Sequence, residues 1–192
     1  MKPKILAFAG STRTDSFNKK LVKVAAQGAN ESGADVTVID LRDYPLPLFD
    51  EDLEKNEGIP SNANRLKELM SSHQGFLISS PEYNSSISGV LKNTIDWTSR
   101  QGDDEHQLSC YKDKVAGLMS ASPGGLGGLR GLVHVRAILE NMGVLVIPNQ
   151  IAVSKAHEVF NPDNSLKDPK QEEKVKSIGI DLTKLLQKLY SS

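Results

Sequence analysis

Short runs of apolar residues recur along the chain, and each run ends in glycine, proline or polar residues. Runs of this length, without apolar and polar residues in alternation, are typical of strands that are buried on both faces. The pattern predicts five strands: Lys4–Gly10, Val36–Asp40, Gly75–Ser80, Lys114–Ala121 and one that begins over Val144–Ile147.

Between these runs, apolar residues follow a helical spacing. Phe17, Leu21, Val24 and Ala25 stand at i, i+4, i+7 and i+8, which places them on one face of a helix. We expect Asp15 or Ser16 to cap this helix. Four more stripes predict helices, over Asn62–Ser72, Ile87–Ile95, Leu132–Met142 and Val175–Leu189.

The alternation of strands and helices predicts a parallel sheet covered by helices on both faces. The proline-rich and acidic stretch Leu41–Pro60 is expected to be a long surface loop. In sheets of this kind, ligands bind outside the carboxyl ends of the strands, where the winding direction reverses. The loops after the first, third and fourth strands are therefore the candidates for a site.

The length and net charge of the chain limit the classes of protein to which it can belong. The 192 residues fit one domain, 1–192. A net charge of −1 argues against a nucleic-acid-binding protein, and no apolar run approaches the roughly 20 residues that cross a membrane. The one cysteine, Cys110, cannot form an internal disulfide, which favours a cytoplasmic location. The four histidines, His73, His106, His134 and His157, are too widely spaced to predict a metal site.

The loop after the first strand, GSTRTDSFN over Gly10–Asn18, is rich in anion-binding groups. Its hydroxyls, the Arg13 guanidinium and the N–H groups of a helix start favour a bound phosphate. An ordinary capped turn stays open as an alternative, with Asp15 as the partner of Arg13. The dinucleotide fingerprint is only partial, because Thr12 replaces its second glycine although Asp40 imitates its ribose-binding acid.

The other two loops have the composition of a site for a flat ring. SPEYNSSISGVLKNTIDW, over Ser80–Trp97, fixes a turn at Pro81 and places Tyr83 and Asn84 at the sheet edge. SASPGGLGGLRG, over Ser120–Gly131, has five glycines, which allow backbone N–H groups to approach a ligand closely.

Together, GSTRTDSFN, PEYNSSISGVLKNTIDW and SASPGGLGGLRG resemble the NADPH-dependent FMN reductase family, which includes flavin-dependent quinone, azo-dye and chromate reductases. The resemblance extends from the first strand to about residue 147. It implies a flavodoxin-like three-layer α/β/α sandwich with a five-stranded parallel sheet in the order 2-1-3-4-5. It also implies noncovalent FMN as the cofactor and NADPH or NADH as the co-substrate.

The resemblance assigns three groups of cofactor-binding residues. The positions that match the FMN phosphate site are Ser11, Arg13, Ser16 and Asn18, with Phe17 behind them. The positions that match the loop along the isoalloxazine and ribityl chain are Pro81, Glu82, Tyr83 and Asn84, with Ser85 as an extra donor. The positions that match the pyrimidine side are Ser120, Ser122, Gly124 and Gly125, with Arg130 nearby.

The implied reaction is hydride transfer from NAD(P)H through FMN N5 to quinone, azo, flavin or metal-oxyanion acceptors, by a ping-pong mechanism. No catalytic residue of the chain is required, because the cofactor carries the chemistry. One alternative is a flavodoxin-like electron carrier or redox-sensing module without NAD(P)H turnover, but such carriers are usually acidic and this chain is not. Another is a dehydrogenase that holds ribose on Asp40.

The resemblance also implies a homodimer or homotetramer that acts on small-molecule acceptors. The candidate interfaces are Tyr44–Phe49 and the helix Ile87–Trp97. Within that helix Lys92, Asn93, Asp96 and Trp97 are expected to be structural rather than catalytic. The polar segment Arg100–Tyr111 is expected to shape the mouth of the acceptor pocket.

Overall fold

A computed structural model describes residues 2–102 and 108–190 of the chain. His106 and the rest of 103–107, within the predicted pocket mouth, lie outside these ranges. The strands, numbered in chain order, are β1 (Lys4–Ala9), β2 (Asp35–Val38), β3 (Gly75–Ser79), β4 (Glu82–Tyr83), β5 (Ser86–Ile87), β6 (Val115–Ala121) and β7 (Leu145–Val153). The helices are α1 (Phe17–Glu31), α2 (Glu51–Glu57), α3 (Ser61–Ser71), α4 (Gly89–Thr98), α5 (Leu129–Asn141), α6 (Ala156–Val159) and α7 (Pro169–Leu189).

Five strands form one parallel sheet in the order β2-β1-β3-β6-β7. The short strands β4 and β5 pair only with each other, as an antiparallel hairpin. The predicted order 2-1-3-4-5 is therefore confirmed for the five long strands. The winding direction reverses between β1 and β3, where Ala9 stands beside Ser79, so the crevice for a ligand opens at this point of the carboxyl edge.

Alternate residues of each strand enter two separate cores. Ile5 and Leu77 pack with the inner faces of α1 and α7, represented by Leu21 and Ile178. Leu6 and Phe76 point the other way and join a core that holds side chains of α3, α4 and α5. The period of two in the strands thus produces the three layers that the alternation of elements predicts.

Helices α1 and α7 approach each other closely through glycine. A Cβ atom added at Gly28 would lie 2.4 Å from the carbonyl oxygen of Lys176, and one at Gly179 would lie 2.1 Å from that of Ala25. Because these contacts are with backbone, no side-chain movement relieves them. Glycine at both positions lets α7 cover the sheet beside α1.

The predicted surface loop Leu41–Pro60 contains more regular structure than expected. A short 3-10 helix covers Leu41–Asp43, and α2 follows it. Aspartates cap both: Asp40 accepts a hydrogen bond from the Arg42 N–H, and Asp50 accepts from the N–H groups of Asp52 and Leu53. These caps supply hydrogen-bond partners for helix starts that lack apolar stripes.

The segment Tyr44–Phe49, predicted as an interface, folds onto α4 of its own chain. The carbonyl oxygen of Pro47 accepts hydrogen bonds of 2.8 Å from both Asn93 Nδ2 and Trp97 Nε1. The Phe49 ring meets the Trp97 ring edge-on at 5.0 Å. Asn93 and Trp97 thus have the structural role expected for this helix, while Lys92 pairs with Asp96 at 2.7 Å.

Two local predictions are corrected, and a third is extended. Ile87 belongs to β5 and not to α4, because the Asn84–Ser85 turn, with φ of 52° and 66°, reverses the chain as a hairpin turn without glycine. Ser16 stands at the start of α1, but its side chain makes no capping hydrogen bond, and Asp15 pairs with Lys20 instead. Strand β7 continues past Pro148 to Val153 through an irregular pairing with β6.

No helix within residues 2–102 and 108–190 combines the length and the apolar character that crossing a membrane requires.

Candidate functional site

A cavity of about 260 Å³ opens at the carboxyl edge of the sheet, between the loops that follow β1, β3 and β6. It brings together predicted residues from all three loops. The lining residues are Ser11, Arg13, Ser16, Phe17, Asn18, Pro81, Glu82, Tyr83, Ala121, Ser122 and Pro123.

One end of this cavity is rich in groups that bind anions. The guanidinium of Arg13 lies 5.1 Å from the centre of the Phe17 ring, and no carboxylate among residues 2–102 and 108–190 forms an ion pair with it. The competing partner Asp15 is bonded to Lys20 at 2.7 Å; this hydrogen bond and the charge of Lys20 lower the pKa of Asp15, to which the charge of Arg13 adds a smaller effect. The first turn of α1 has no acidic residue, so its N–H groups and the Arg13 charge favour an anionic ligand.

Asn18 holds the edges of the cavity together. Its Oδ1 accepts hydrogen bonds from Ser79 Oγ at 2.8 Å and from the Ala121 N–H at 3.0 Å. Its Nδ2 donates to the Ala121 carbonyl at 2.8 Å, and the residue is 4% exposed. Asn18 therefore fixes α1 to the ends of β3 and β6 through its side chain.

Two side chains that sequence reasoning missed hold the loop after β1. Ser88 Oγ donates to the Gly10 carbonyl at 2.6 Å while capping α4 through the Leu91 N–H. Arg42 donates to the Thr12 carbonyl through Nε at 2.8 Å and through Nη2. A serine before an apolar helical stripe was a readable capping signal for Ser88, whereas nothing near Arg42 in the sequence indicates its partner.

Glu82 anchors the β4–β5 hairpin to α5. Its carboxylate accepts hydrogen bonds from Arg130 at 2.9 and 2.6 Å and from the Gly131 N–H at 3.1 Å, and its side chain is 8% exposed. Burial acts to raise the pKa of Glu82, but the hydrogen bonds from Gly131 and Arg130 outweigh it and hold the pKa below its ordinary value. With its carboxylate committed in this way, Glu82 positions the hairpin whose Tyr83 is 58% exposed beside the cavity.

The glycine-rich loop divides into two parts. Gly127 and Gly128 have φ of 62° and 92°, and a Cβ at Gly128 would lie 1.9 Å from Ser120 Oγ, so the fold itself requires them. By contrast, a Cβ at Gly125 would meet nothing within 4 Å. Ser120 is fully buried, and its hydroxyl donates to the Ser80 carbonyl at 2.7 Å.

Five predicted site residues are absent from the lining of the 260 Å³ cavity: Asn84, Ser85, Ser120, Gly124 and Gly125. Ser120 lies behind the wall, because its hydroxyl is used to join β6 to the loop after β3. The remaining four lie in the hairpin turn, which follows the lining residue Tyr83, and in the open part of the glycine loop, which follows the lining residue Pro123.

Two further cavities adjoin the first. One of about 380 Å³, the Arg42 cavity, is lined by Gly10, Ser11, Thr12, Arg13, Arg42, Tyr83, Ser88 and Val90. The other, of about 480 Å³ and here called the lysine cavity, lies along α1 towards β2; Lys19, Lys20, Lys23, Asp15, Asp40 and Asp43 are among its lining residues.

The geometry around Asp40 bears on the dehydrogenase alternative. Asp40 bonds to Lys19 at 2.6 Å and accepts the Arg42 N–H at 3.0 Å. Burial acts to raise its pKa, and the hydrogen bonds from Lys19 and Arg42 more than offset this and lower it. Since both carboxylate oxygens already have partners, Asp40 is poorly placed to hold a ribose.

No group of three or more His, Cys, Asp or Glu side chains in the described part of the chain is arranged to hold a metal ion.

Comparison with known proteins identifies the class. The family model described as NADPH-dependent FMN reductase matches residues 3–158. The chain therefore belongs to the NADPH-dependent FMN reductase family, which confirms the resemblance, the flavodoxin-like fold and the assignment to an enzyme class that uses FMN and NAD(P)H.

Individual relatives agree with this class. A probable NADPH:quinone oxidoreductase of Oryza sativa subsp. japonica is 36% identical over 183 residues, which are 93% of this chain and 86% of the relative. An NAD(P)H-dependent FMN reductase of Pseudomonas aeruginosa is 31% identical over 171 residues, 88% of each chain. The structure of FerB, a flavoenzyme NAD(P)H:(acceptor) oxidoreductase from Paracoccus denitrificans, matches with a TM-score of 0.81 at 26% identity, over 97% of this chain and 98% of that one.

The Glu82 anchor makes stability depend on pH. The folded state binds the Glu82 proton more weakly than the unfolded state, so the ionised anchor stabilises the protein above the ordinary pKa of 4.5. This contribution is lost as the pH falls through the lower, folded-state pKa. We expect Glu82→Gln to lower the free energy of unfolding by about 1–3 kcal/mol at neutral pH, the range for hydrogen bonds to a charged group.

Urea unfolding of both proteins between neutral and acidic pH measures this difference, which should shrink as the pH falls. The matched control is Glu140→Gln on α5, which removes an exposed pair with Arg136 at 3.4 Å and is expected to cost less than about 0.5 kcal/mol. A Glu82→Gln difference that is constant with pH would contradict the anchor.

Proposed function

We propose that this protein binds FMN across the carboxyl edge of its sheet and reduces small-molecule acceptors with NAD(P)H. The candidate acceptors are quinones, azo compounds, free flavins and metal oxyanions. The observation that carries the proposal is the polarity of the cavity: uncommitted positive charge and N–H donors at the start of α1, and an exposed aromatic ring at the β4–β5 hairpin.

The residues at the start of α1 suit a phosphomonoester. Ser11 and Ser16 offer hydroxyls, Arg13 offers a guanidinium without a carboxylate partner in the described ranges, and the helix N-terminus offers N–H groups. A guanidinium with backbone donors is a strong combination for phosphate. Asn18 and Phe17 support this cluster from behind, Asn18 through its bonds to β3 and β6 and Phe17 through its contact with Arg13.

The opposite end suits the ribityl chain and the ring. Pro81 and Tyr83 line one wall and Ser122 the other. The backbone of Gly124 and Gly125, where added Cβ atoms would meet no backbone, allows the close approach that a ring carbonyl needs. Asn84 and Ser85 lie in the hairpin turn at the rim, within the same wall of the proposed site.

Bound FMN supplies a hydride acceptor and donor at N5, so that NAD(P)H and the acceptor use one exposed face in turn, as a ping-pong mechanism requires. The protein holds and orients the ring and leaves that face open. No acid, base or nucleophile of the chain is assigned a catalytic part.

The proposal extends to a cytoplasmic location and to a homodimer or homotetramer. The one cysteine, Cys110, is buried, and its thiol donates to the Thr98 carbonyl at 3.3 Å. An apolar hollow of about 600 Å³ between the β5–α4 junction and α5 is lined by Ile87, Ala137 and Ile138, and Val133 nearby is 59% exposed. We assign the contact with a second copy to this face, which includes the start of the predicted Ile87–Trp97 interface.

Light scattering on a size-exclusion column tests the assembly. We expect the mass of two or four chains, and Val133→Glu should reduce it. A wild-type monomer that binds FMN tightly would overturn the proposed assembly.

Anaerobic titration tests the activity. The FMN-reconstituted protein should lose the absorbance of oxidised flavin when NADPH is added and regain it when a quinone follows. Steady NADPH oxidation without any partner protein is expected, which an electron carrier would not show. Failure to bind FMN, or bound flavin that NADPH does not bleach, would contradict the proposal.

Arg13 gives a test of the phosphate end. We expect Arg13→Met to weaken FMN binding about tenfold or more, as loss of a charge-assisted hydrogen bond predicts, and to change riboflavin binding far less. Quenching of flavin fluorescence measures both constants. Arg65→Met, at an exposed arginine that bonds to Asn62 on α3, is the matched control and should alter neither. Equal losses for FMN and riboflavin would place the phosphate elsewhere.

A further inference from the structure

The Arg42 cavity has an unusual balance of charge. Two arginines, Arg13 and Arg42, line it together with the hydroxyl-bearing residues Ser11, Thr12 and Tyr83. None of the lining residues found in the described part of the chain is an aspartate or glutamate. The cavity shares Ser11, Arg13 and Tyr83 with the proposed FMN site, so a molecule lying over that site has a direct path into it.

The Arg42 guanidinium is held in place by the protein, and one of its nitrogen atoms stays available to a ligand. Its Nε and Nη2 both donate to the Thr12 carbonyl, which fixes the plane of the guanidinium. Nη1 makes no hydrogen bond to residues 2–102 or 108–190, and no carboxylate in those ranges forms an ion pair with Arg42. A planar, oriented guanidinium with a free edge is well suited to phosphate.

Two lysines at this edge are committed to carboxylates. In the lysine cavity, Lys19 pairs with Asp40 at 2.6 Å and Lys20 with Asp15 at 2.7 Å. Lys23 and Asp43 also line that cavity. Arg13 is assigned to the FMN phosphate under the proposed function. Arg42 is then the arginine left for a second anionic group.

We propose that Arg42 binds the 2′-phosphate of NADPH and thereby gives this protein a preference for NADPH over NADH. The inference rests on the proposed function, because it places the nicotinamide over bound FMN. NADPH and NADH differ only by this phosphate, so discrimination requires a cation that meets it. Asp40, which accepts a hydrogen bond from the Arg42 N–H, pairs with Lys19, and this pairing offsets its negative charge.

Calorimetry on the FMN-reconstituted protein tests the site without turnover. The probes are 2′,5′-ADP, which carries the 2′-phosphate, and 5′-ADP, which lacks it. Wild type should bind 2′,5′-ADP more tightly, and Arg42→Gln should reduce that preference about tenfold, as expected for a lost bond between charged groups. No preference in wild type, or a preference that survives in Arg42→Gln, would overturn the proposal.

Kinetics provide the second arm. The ratio of kcat/KM for NADPH to that for NADH should fall about tenfold in Arg42→Gln and less in Arg42→Lys, which keeps the charge without the fork. Using the ratio corrects for any shift of the Thr12 loop, since such a shift affects both nucleotides. Lys23→Gln is the control and should leave the ratio unchanged; a fall there and none in Arg42→Gln would move the 2′-phosphate to the lysine cavity and refute the inference.

The two proposals fail differently. If the protein does not oxidise NADPH, the reductase function is contradicted. The calorimetric comparison of 2′,5′-ADP with 5′-ADP still tests Arg42 in that case, because it needs no turnover. Normal NADPH oxidation with an unchanged nucleotide ratio in Arg42→Gln contradicts only the role of Arg42.

Discussion

The side-chain amide of Asn18 bonds to Ser79 at the end of β3 and to both backbone groups of Ala121 at the end of β6. Each of these hydrogen bonds contributes little net stability, because it replaces a hydrogen bond to water in the unfolded chain. Because the groups are buried, however, the loss of one partner leaves the other unsatisfied, at a cost of about 1–3 kcal/mol. Through them the first turn of α1 is fixed against two neighbouring strands. The proposed phosphate end and ring end depend on that registration, because one belongs to α1 and the other to the loops after β3 and β6.

Other polar side chains around the site also hold its loops in place. Ser88 and Arg42 hold carbonyls of the loop after β1, and Glu82 holds the hairpin against α5. Within residues 2–102 and 108–190, other groups are left for a ligand: the Arg13 guanidinium, which makes no ion pair, the free edge of Arg42, the N–H groups of the α1 start and the open part of the glycine loop. Some polar residues near the site therefore hold the loops together and others are available to a ligand, and the residue type alone does not tell which role a residue has.

This explains what was predictable from sequence. The apolar runs predicted the five strands, because a strand that is buried on both faces needs consecutive apolar residues. The helical spacing of apolar residues predicted the layers, because a helix that covers a sheet buries one stripe of its surface. The motifs predicted three loops for the site, and residues of all three line one cavity. Asn18, Glu82 and Ser120 are expected to border the cofactor; their polar atoms also bond within the protein, and only long-range contacts reveal this second role. The Asn84–Ser85 turn escaped prediction because it adopts positive φ without glycine.

Amide hydrogen exchange with and without FMN tests the central claim, that the cofactor spans the three loops tied together by Asn18. We predict that added FMN slows exchange over Ser11–Asn18, Glu82–Ser85 and Ser122–Gly125 together. Exchange over Ile39–Asp43, which borders the lysine cavity, should change less. Slowing confined to the lysine cavity, or in only one of the three loops, would contradict the account.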